Sequence, residues 1–246
     1  MAAVASGRLG YPVAIETARE TRAELFLLID HRTCLAFGST SQTVQERIVT
    51  LGLALTLVAL HDGWRVHPVV ACDQGFLALP SCAKPRDWLQ LHRRLREWPE
   101  EWGPANQLPS HPFPGGRLPF PRRQLALAGF CLYSDADADS DADEGPGAEI
   151  TSMARLSLGK VRVFDPWEQS PPLQGNITLW GPNRQGQENW ADRAARGRAR
   201  QNWEKREERW EKESGGGVFP SLSHGTEQPW ERALDLWFSR QGRRWR

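Results

Sequence analysis

Between Glu24 and Ser39 the chain reads ELFLLIDHRTCLAFGS: five apolar residues, Leu25 to Ile29, run straight into Asp30, and a short loop of polar and small residues follows. A long apolar helix pattern then occupies Thr43 to Leu60. An unbroken apolar strand is buried on both faces, and a carboxylate at its end followed by a loop and a buried helix is how an open α/β sheet presents a binding loop at its carboxyl edge. Most of what the chain can do depends on whether that loop holds a ligand.

The pattern continues in the same style. Thr43 and Glu46 fit a capping box, and Val44, Ile48, Leu51, Leu55 and Val58 form one helical face, with Gly63 as the stop. Trp64–Cys72 and Gly75–Leu79 read as a hairpin about Asp73-Gln74; Pro68 lies inside it and predicts a bulge or broken pairing, because proline cannot donate to a ladder. Arg86–Trp98 reads as a helix with Trp88, Leu91, Leu95 and Trp98 on one face and Arg93, Arg94 and Arg96 in solvent. Leu125–Tyr133 and Val161–Phe164 read as strands, Ile150–Leu158 as a short helix and Asn176–Trp180 as part of a small hairpin. Trp190–Glu213 reads as a strong helix with Ala195, Ala199, Trp203 and Trp210 as its buried stripe, Val218–Pro220 as a last short strand and Pro229–Arg240 as a last helix. This alternation predicts a doubly wound, mostly parallel sheet with one antiparallel edge strand and helices on both faces. Three of its strands run into carboxylates, Asp30, Asp135 and Asp165, at the edge where such sheets bind ligands.

We expect residues 24–246 to form one domain and residues 1–23 an N-terminal arm. Two long loops interrupt the domain: a proline- and glycine-rich stretch at 99–123, and the acidic tract DADADSDADEGPG at 135–147. A net charge of +1 gives no overall electrostatic case for nucleic acid or a membrane surface. The four cysteines, Cys34, Cys72, Cys82 and Cys131, show no C-x-x-C pairing and read as reduced thiols. No run of about 18 apolar residues marks a membrane span, and Met1–Gly10 lacks a signal peptide's apolar core. We therefore expect a cytoplasmic protein.

No motif supplies a reaction. There is no G-x-S-x-G elbow, Walker A loop, H-E-x-x-H or G-x-G-x-x-G, and the six histidines show no metal-ligand spacing. A calcium loop starting at Asp139 fails: Glu144 stands at its glycine position and Ile150 at its twelfth. Asp165 and Glu168 have the makings of an acid/base pair, but following a strand and flanking a proline they read better as a structural turn. Arg193, Arg196, Arg198 and Arg200 invite a nucleic-acid reading, which the glutamates Glu204, Glu207, Glu208, Glu211 and Glu213 of the same helix argue against. Twelve tryptophans are many for this length, and any exposed ones would mark a partner surface.

Taken together, L-L-I-D with its loop, G-W-R-V, L-Y-S-D and V-F-D-P-W-E resemble the DUF58 family, bacterial proteins with a Rossmann-like von Willebrand factor A (vWA) domain. The D-P-x-E motif at Asp165–Glu168 (with Pro166 between them), the Asn176–Trp180 segment and the Trp190–Glu213 helix carry the resemblance best, and Ser134-Asp135 matches the family's Ser-Asp pair. The family's usual N-terminal region is reduced to a remnant near Ser6-Gly7-Arg8, which reads as a shortened paralogue or a truncated reading frame.

The resemblance also implies a metal-ion-dependent adhesion site built as D-x-S-x-S, a threonine and an aspartate. Here the first motif is Asp30-His31-Arg32-Thr33-Cys34, with a guanidinium and a thiol where two hydroxyls belong, and no threonine lies between Thr56 and Thr151. Both replacements are poor ligands for Mg²⁺, which takes hard oxygens. The expectation is a degenerate site of Asp30, Arg32, Cys34 and Asp135 that needs no cofactor, with Arg32 lying between the two aspartates in place of the ion. The alternative is that Arg32 points to solvent.

Family members are typically encoded beside MoxR-type AAA+ ATPases, so the resemblance implies such a protein partner and a non-enzymatic adaptor role. The partner face is expected at His31, Arg32, Thr33, Arg117, Asp137 and Asp139. A metal-dependent binder using Asp30, Asp135 and the acidic tract is the competing function.

Overall fold

The computed structural model describes residues 23–73, 75–97, 129–134, 150, 159–173, 175–181, 184–214, 221–232 and 234–235. The arm up to residue 22 and both long loops lie outside the described residues, as do Leu125–Ala128 of the fourth strand and residues 151–158.

Strand β1 (Glu24–Asp30) is the central ribbon of a six-stranded sheet. The other strands are β2 (Arg65–Cys72), β3 (Gly75–Ala78), β4 (Gly129–Tyr133), β5 (Gly159–Phe164) and β8 (Ser221–Gly225), ordered β3-β2-β1-β4-β5-β8. All neighbours are parallel except the β2–β3 hairpin at one edge. The chain grows outward from β1 to β3 and then returns to β1's other side with β4, so the switch point lies between the carboxyl ends of β1 and β4. This is the expected doubly wound α/β fold. A separate antiparallel ribbon, β6 (Asn176–Gly181) with β7 (Arg184–Asn189), follows β5, where a small hairpin was expected.

The two sheet faces are sorted by the period of a strand. Leu25, Leu27 and Ile29 of β1 join the core under helix α1 (Val44–His61) and helix α2 (Pro85–Arg96), while Phe26 and Leu28 join a second core with Trp210 of helix α4 (Arg193–Ser214). All five are buried, and each contributes about 2 kcal/mol by leaving water.

Helix α1 starts at the expected capping box: the Thr43 hydroxyl accepts from the Glu46 N–H at 3.1 Å and the Glu46 carboxylate from the Thr43 N–H at 2.8 Å. Gly63, at φ +80°, ends the helix in a conformation that favours glycine. Gly52 lets α1 sit down on the sheet, since a Cβ there would lie 3.1 Å from Cδ1 of Ile29. By length and composition α1 is apolar enough to cross a membrane. Its apolar residues Val44, Ile48, Val49, Leu51, Leu53 and Leu55 are buried in the core over the sheet. Helix α2 packs beside it, with Leu91 and Leu95 in the core and Trp88 Nε1 donating to the Leu53 carbonyl at 2.8 Å.

Pro68 has the effect expected of it, on one side only. Its carbonyl accepts from the Leu79 N–H at 2.9 Å, so its missing N–H also faces the β3 side. There the chain takes four steps, from Ala78 to Cys82, against three along β2, from Val69 to Val66. The parallel register with β1 runs through Pro68 without interruption.

Val218–Pro220, expected as the last strand, lies outside the described residues, and a strand that was not expected follows at Ser221–Gly225. Its sequence, Ser-Leu-Ser-His-Gly, has little strand propensity of its own, and pairing with β5, Leu222 opposite Val161 and His224 opposite Val163, makes it a strand. Helix α4 begins at Arg193 instead of Trp190, which stays buried just ahead of it. The stripe of α4 includes Ala195, Trp203 and Trp210 as expected, but Ala199 is only half-buried and Arg206 is buried. On the facing side of β5, Lys160, Arg162 and Phe164 alternate with Val161 and Val163. Cations and rings then interleave: Lys160 lies 5.2 Å from the Trp210 ring, Arg162 lies 4.9 Å from Trp210 and 5.2 Å from Trp203, and Arg206 lies 5.4 Å from Trp203. Arg162 also pairs with Glu207 and donates to Ser223 Oγ at 2.9 Å.

Candidate functional site

The carboxyl end of β1 and the loop after it form the switch point. Asp30 is fully buried and Arg32 is 3% exposed. The guanidinium closes on the carboxylate as a fork, Nε donating to Oδ1 at 2.8 Å and Nη2 to Oδ2 at 2.7 Å. Nη2 also reaches the Ser134 carbonyl at 3.3 Å, across the gap between β1 and β4, and the Ser134 N–H faces Oδ2 at 3.5 Å. Arg32 therefore points inward to Asp30 and not to solvent. Asp135, on the far side of the expected bridge, lies outside the described residues, as do Arg117, Asp137 and Asp139.

The neighbours fix this fork from all sides. The His31 N–H donates to the Ala71 carbonyl at 2.8 Å, continuing the β2 register one step past the strand. Gln45 Nε2, on the first turn of α1, approaches His31 Nδ1 at 3.3 Å and donates to the carbonyls of His31 at 3.1 Å and Arg32 at 3.2 Å. Burial holds the His31 imidazole below its ordinary pKa, against an opposing hydrogen bond with the Leu95 backbone, so the ring is neutral at pH 7. Asp73, in the β2–β3 turn, accepts from the Thr33 N–H at 3.0 Å and from the Thr33 hydroxyl. Thr33–Leu35 form a single 3₁₀ turn, and half-buried Cys34 packs against the core.

This arrangement corrects the expected partner face. His31 and Arg32 are both buried, because one packs under Gln45 and the other pairs with Asp30; of the three consecutive residues only Thr33 reaches solvent. It also tests whether a divalent cation fits. Both Asp30 oxygens face a guanidinium, and Thr33, the hydroxyl closest in sequence, is engaged by Asp73. The described residues do not fit a metal here, and among them no group of three or more His, Cys, Asp or Glu side chains is placed to hold one.

The Asp165–Glu168 motif sits at the same edge, after β5. Asp165 caps the short helix α3 (Pro166–Gln169), accepting from the Trp167 N–H at 2.9 Å, and Glu168 closes the box on the Asp165 N–H at 2.7 Å. Asp165 also accepts from the N–H and the hydroxyl of Ser39, both at 2.6 Å, and Glu168 accepts from Arg206 Nη1 at 2.7 Å. All four carboxylate oxygens are thus committed to structural bonds, which is the expected turn. Neighbouring Trp167 is 43% exposed and Leu173, six residues on, is 76% exposed. Residues that sequence reasoning missed are the buried cations Lys160, Arg162 and Arg206. The signal available for them was the coincidence of basic residues on alternate positions of β5 with tryptophans at helical spacing on α4.

The fold and site together define a doubly wound α/β domain whose switch-point carboxylate is closed by an arginine of its own loop. The chain matches the family described as protein of unknown function DUF58 over residues 4–213, and it belongs to that family. No curated protein matches it in sequence. Among solved structures it is similar to BatB from Bacteroides thetaiotaomicron, at 11% identity over 90% of this chain and 99% of that one, with a TM-score of 0.40. It is also similar to an aerotolerance-related membrane protein from Bacteroides fragilis NCTC 9343, at 9% identity over 90% of this chain and 99% of that one, with a TM-score of 0.39. An uncharacterised membrane spanning protein from Vibrio fischeri follows at a TM-score of 0.21, with 11% identity over 91% of this chain and 99% of that one.

Proposed function

We propose that this chain is a non-enzymatic protein-interaction module of the vWA type, in which the Arg32 guanidinium takes the place of the metal ion. We further propose that it acts with a MoxR-type AAA+ ATPase in maturing or remodelling a protein complex. The observation that carries the first part is the Arg32–Asp30 fork. A monovalent cation fixed by a covalent tether neutralises the switch-point carboxylate without any exchangeable ion. The ATPase partner rests on the family resemblance alone.

A binding face at this edge is supported by exposed Thr33, Ala36, Gly38 and Ser41 of the β1–α1 loop, and by Trp167 standing partly in solvent on a turn stiffened by its capping box. Cys34, Cys72, Cys82 and Cys131 form no disulfide, which fits a reducing, cytoplasmic setting.

The test is binding of the purified chain to a MoxR-type ATPase without nucleotide, in EDTA and in Mg²⁺. Equal affinity is expected, with no calorimetric heat when the chain alone meets Mg²⁺, Mn²⁺ or Ca²⁺. Loss of binding on chelation would overturn the ion-independent reading.

A further inference from the structure

We infer that the Asp165-Pro166-Trp167-Glu168 turn is a relay through which α4, on one face of the sheet, sets the conformation of the β1–α1 loop at its carboxyl edge. A four-residue helix needs a cap, and the bonds of Asp165 to Trp167 and of Glu168 to Asp165 supply one. A cap does not need the other two connections, which leave the turn in opposite directions.

Towards the loop, Asp165 grips Ser39 twice, through its N–H and its hydroxyl, each at 2.6 Å. The loop closes on itself where the Val44 N–H donates to the Phe37 carbonyl at 2.9 Å. It folds so tightly at Gly38 that a Cβ would sit 2.7 Å from the Gln42 carbonyl oxygen. Within that closed loop, Ser39 takes the charge-assisted bonds, and Thr40 adds a hydroxyl contact to Thr226 at 3.2 Å.

Towards the helix, Glu168 accepts from Arg206 at 2.7 Å with one oxygen while its other oxygen accepts from the Asp165 N–H at 2.7 Å. A carboxylate is planar and rigid, so where α4 holds Arg206 determines where the second oxygen meets the Asp165 backbone. That backbone in turn aims the Asp165 side chain. Arg206 is itself buried, stacked 5.4 Å from the Trp203 ring, and its carbonyl faces Nη1 of Arg162 at 3.5 Å. A shift of α4 against β5 is therefore passed to Ser39, which makes the exposed face of α4 a handle on the edge loop. The relay stands whether or not that edge binds a partner, because it is read on the chain alone.

Amide hydrogen exchange tests it. Arg206→Met keeps an apolar stem against Trp203 and removes the charge; Glu168→Gln keeps an acceptor for the Asp165 N–H and turns an amide to Arg206. In both variants the Ser39 amide is expected to exchange roughly tenfold faster or more, the loss of one charge-assisted bond, while the Leu27 and Leu28 amides of β1 keep their protection. Arg206→Lys is expected to restore part of the protection, and Asp165→Asn, which keeps one acceptor oxygen but removes the charge, sets the rate for a weakened direct bond to Ser39. Unchanged Ser39 exchange in Glu168→Gln, with faster exchange in Asp165→Asn, would overturn the relay. That comparison stands even if Arg206→Met loosens β1 as a whole.

Discussion

The guanidinium of Arg32 and the carboxylate of Asp30, two residues apart on one chain, close on each other as a fork with bonds of 2.8 and 2.7 Å, both side chains out of solvent. Removing either one would leave the other charge buried without its counter-ion. Arg32→Ala is therefore expected to lower stability by about 3 kcal/mol or more, and Asp30→Asn to be comparably destabilising. Replacing both, as Asp30→Asn with Arg32→Met, is expected to cost less than the sum of the single changes, because no unpaired charge remains. Urea titration of the two single variants and the double variant measures this; strict additivity would mean that the pair does not interact.

Acid is expected to loosen the fold through its buried histidines. His224 is buried, and burial together with Arg47 and Arg232 lowers its pKa from 6.5 to about 4. His31 is lowered as well, by burial first. A depressed folded-state pKa means that the unfolded chain binds the proton more readily. The stability each ring contributes is thus fully present above pH 6.5 and is lost as pH falls toward the folded value. For His224 that amounts to about 3 kcal/mol between pH 6.5 and 4. Urea midpoints at pH 7 and pH 5 should differ in the native chain and differ less in His224→Gln.

The four thiols are expected to react in a fixed order. Burial pushes Cys131 well above its ordinary pKa and Cys82 to about 11, whereas Cys34 is half-buried on its 3₁₀ turn. A thiolate-selective reagent at pH 8 should modify Cys34 first and reach Cys131 only on unfolding. Mass spectrometry of partly labelled chain checks this, and early labelling of Cys131 would contradict the packing of β4.

The interleaved cations and rings between β5 and α4 should behave as one unit. Arg162→Ala removes a buried guanidinium that touches Trp203, Trp210, Glu207 and Ser223, and is expected to cost about 3 kcal/mol. Arg162→Met, which keeps the stem, is expected to recover part of that loss. Tryptophan fluorescence during denaturation reports both, and a neutral Arg162→Ala would remove the cluster from the account of stability.

Much of the fold was legible because its signals are local and periodic. The apolar run of β1, the four-three spacing of α1 and the Thr43–Glu46 cap each state their structure within a few turns of chain. The last strand was not legible: Ser221–Gly225 has the composition of a loop and becomes a strand only beside β5. The site was half legible. A sequence can show an arginine two residues after the strand-end Asp30, but not that its guanidinium turns inward, because that depends on where β4 delivers the Ser134 carbonyl, 102 residues away.

The sequence by itself therefore determined the order of elements and the loop after β1 that carries Asp30, Arg32 and Cys34, since pattern and residue identity are properties of the chain. Only the tertiary structure decided that Arg32 neutralises Asp30, that His31 and Arg32 are withdrawn from the surface, and that Asp165 and Glu168 connect Ser39 to Arg206. Those outcomes depend on distances between residues far apart in the chain, and only packing the strands and helices together sets them.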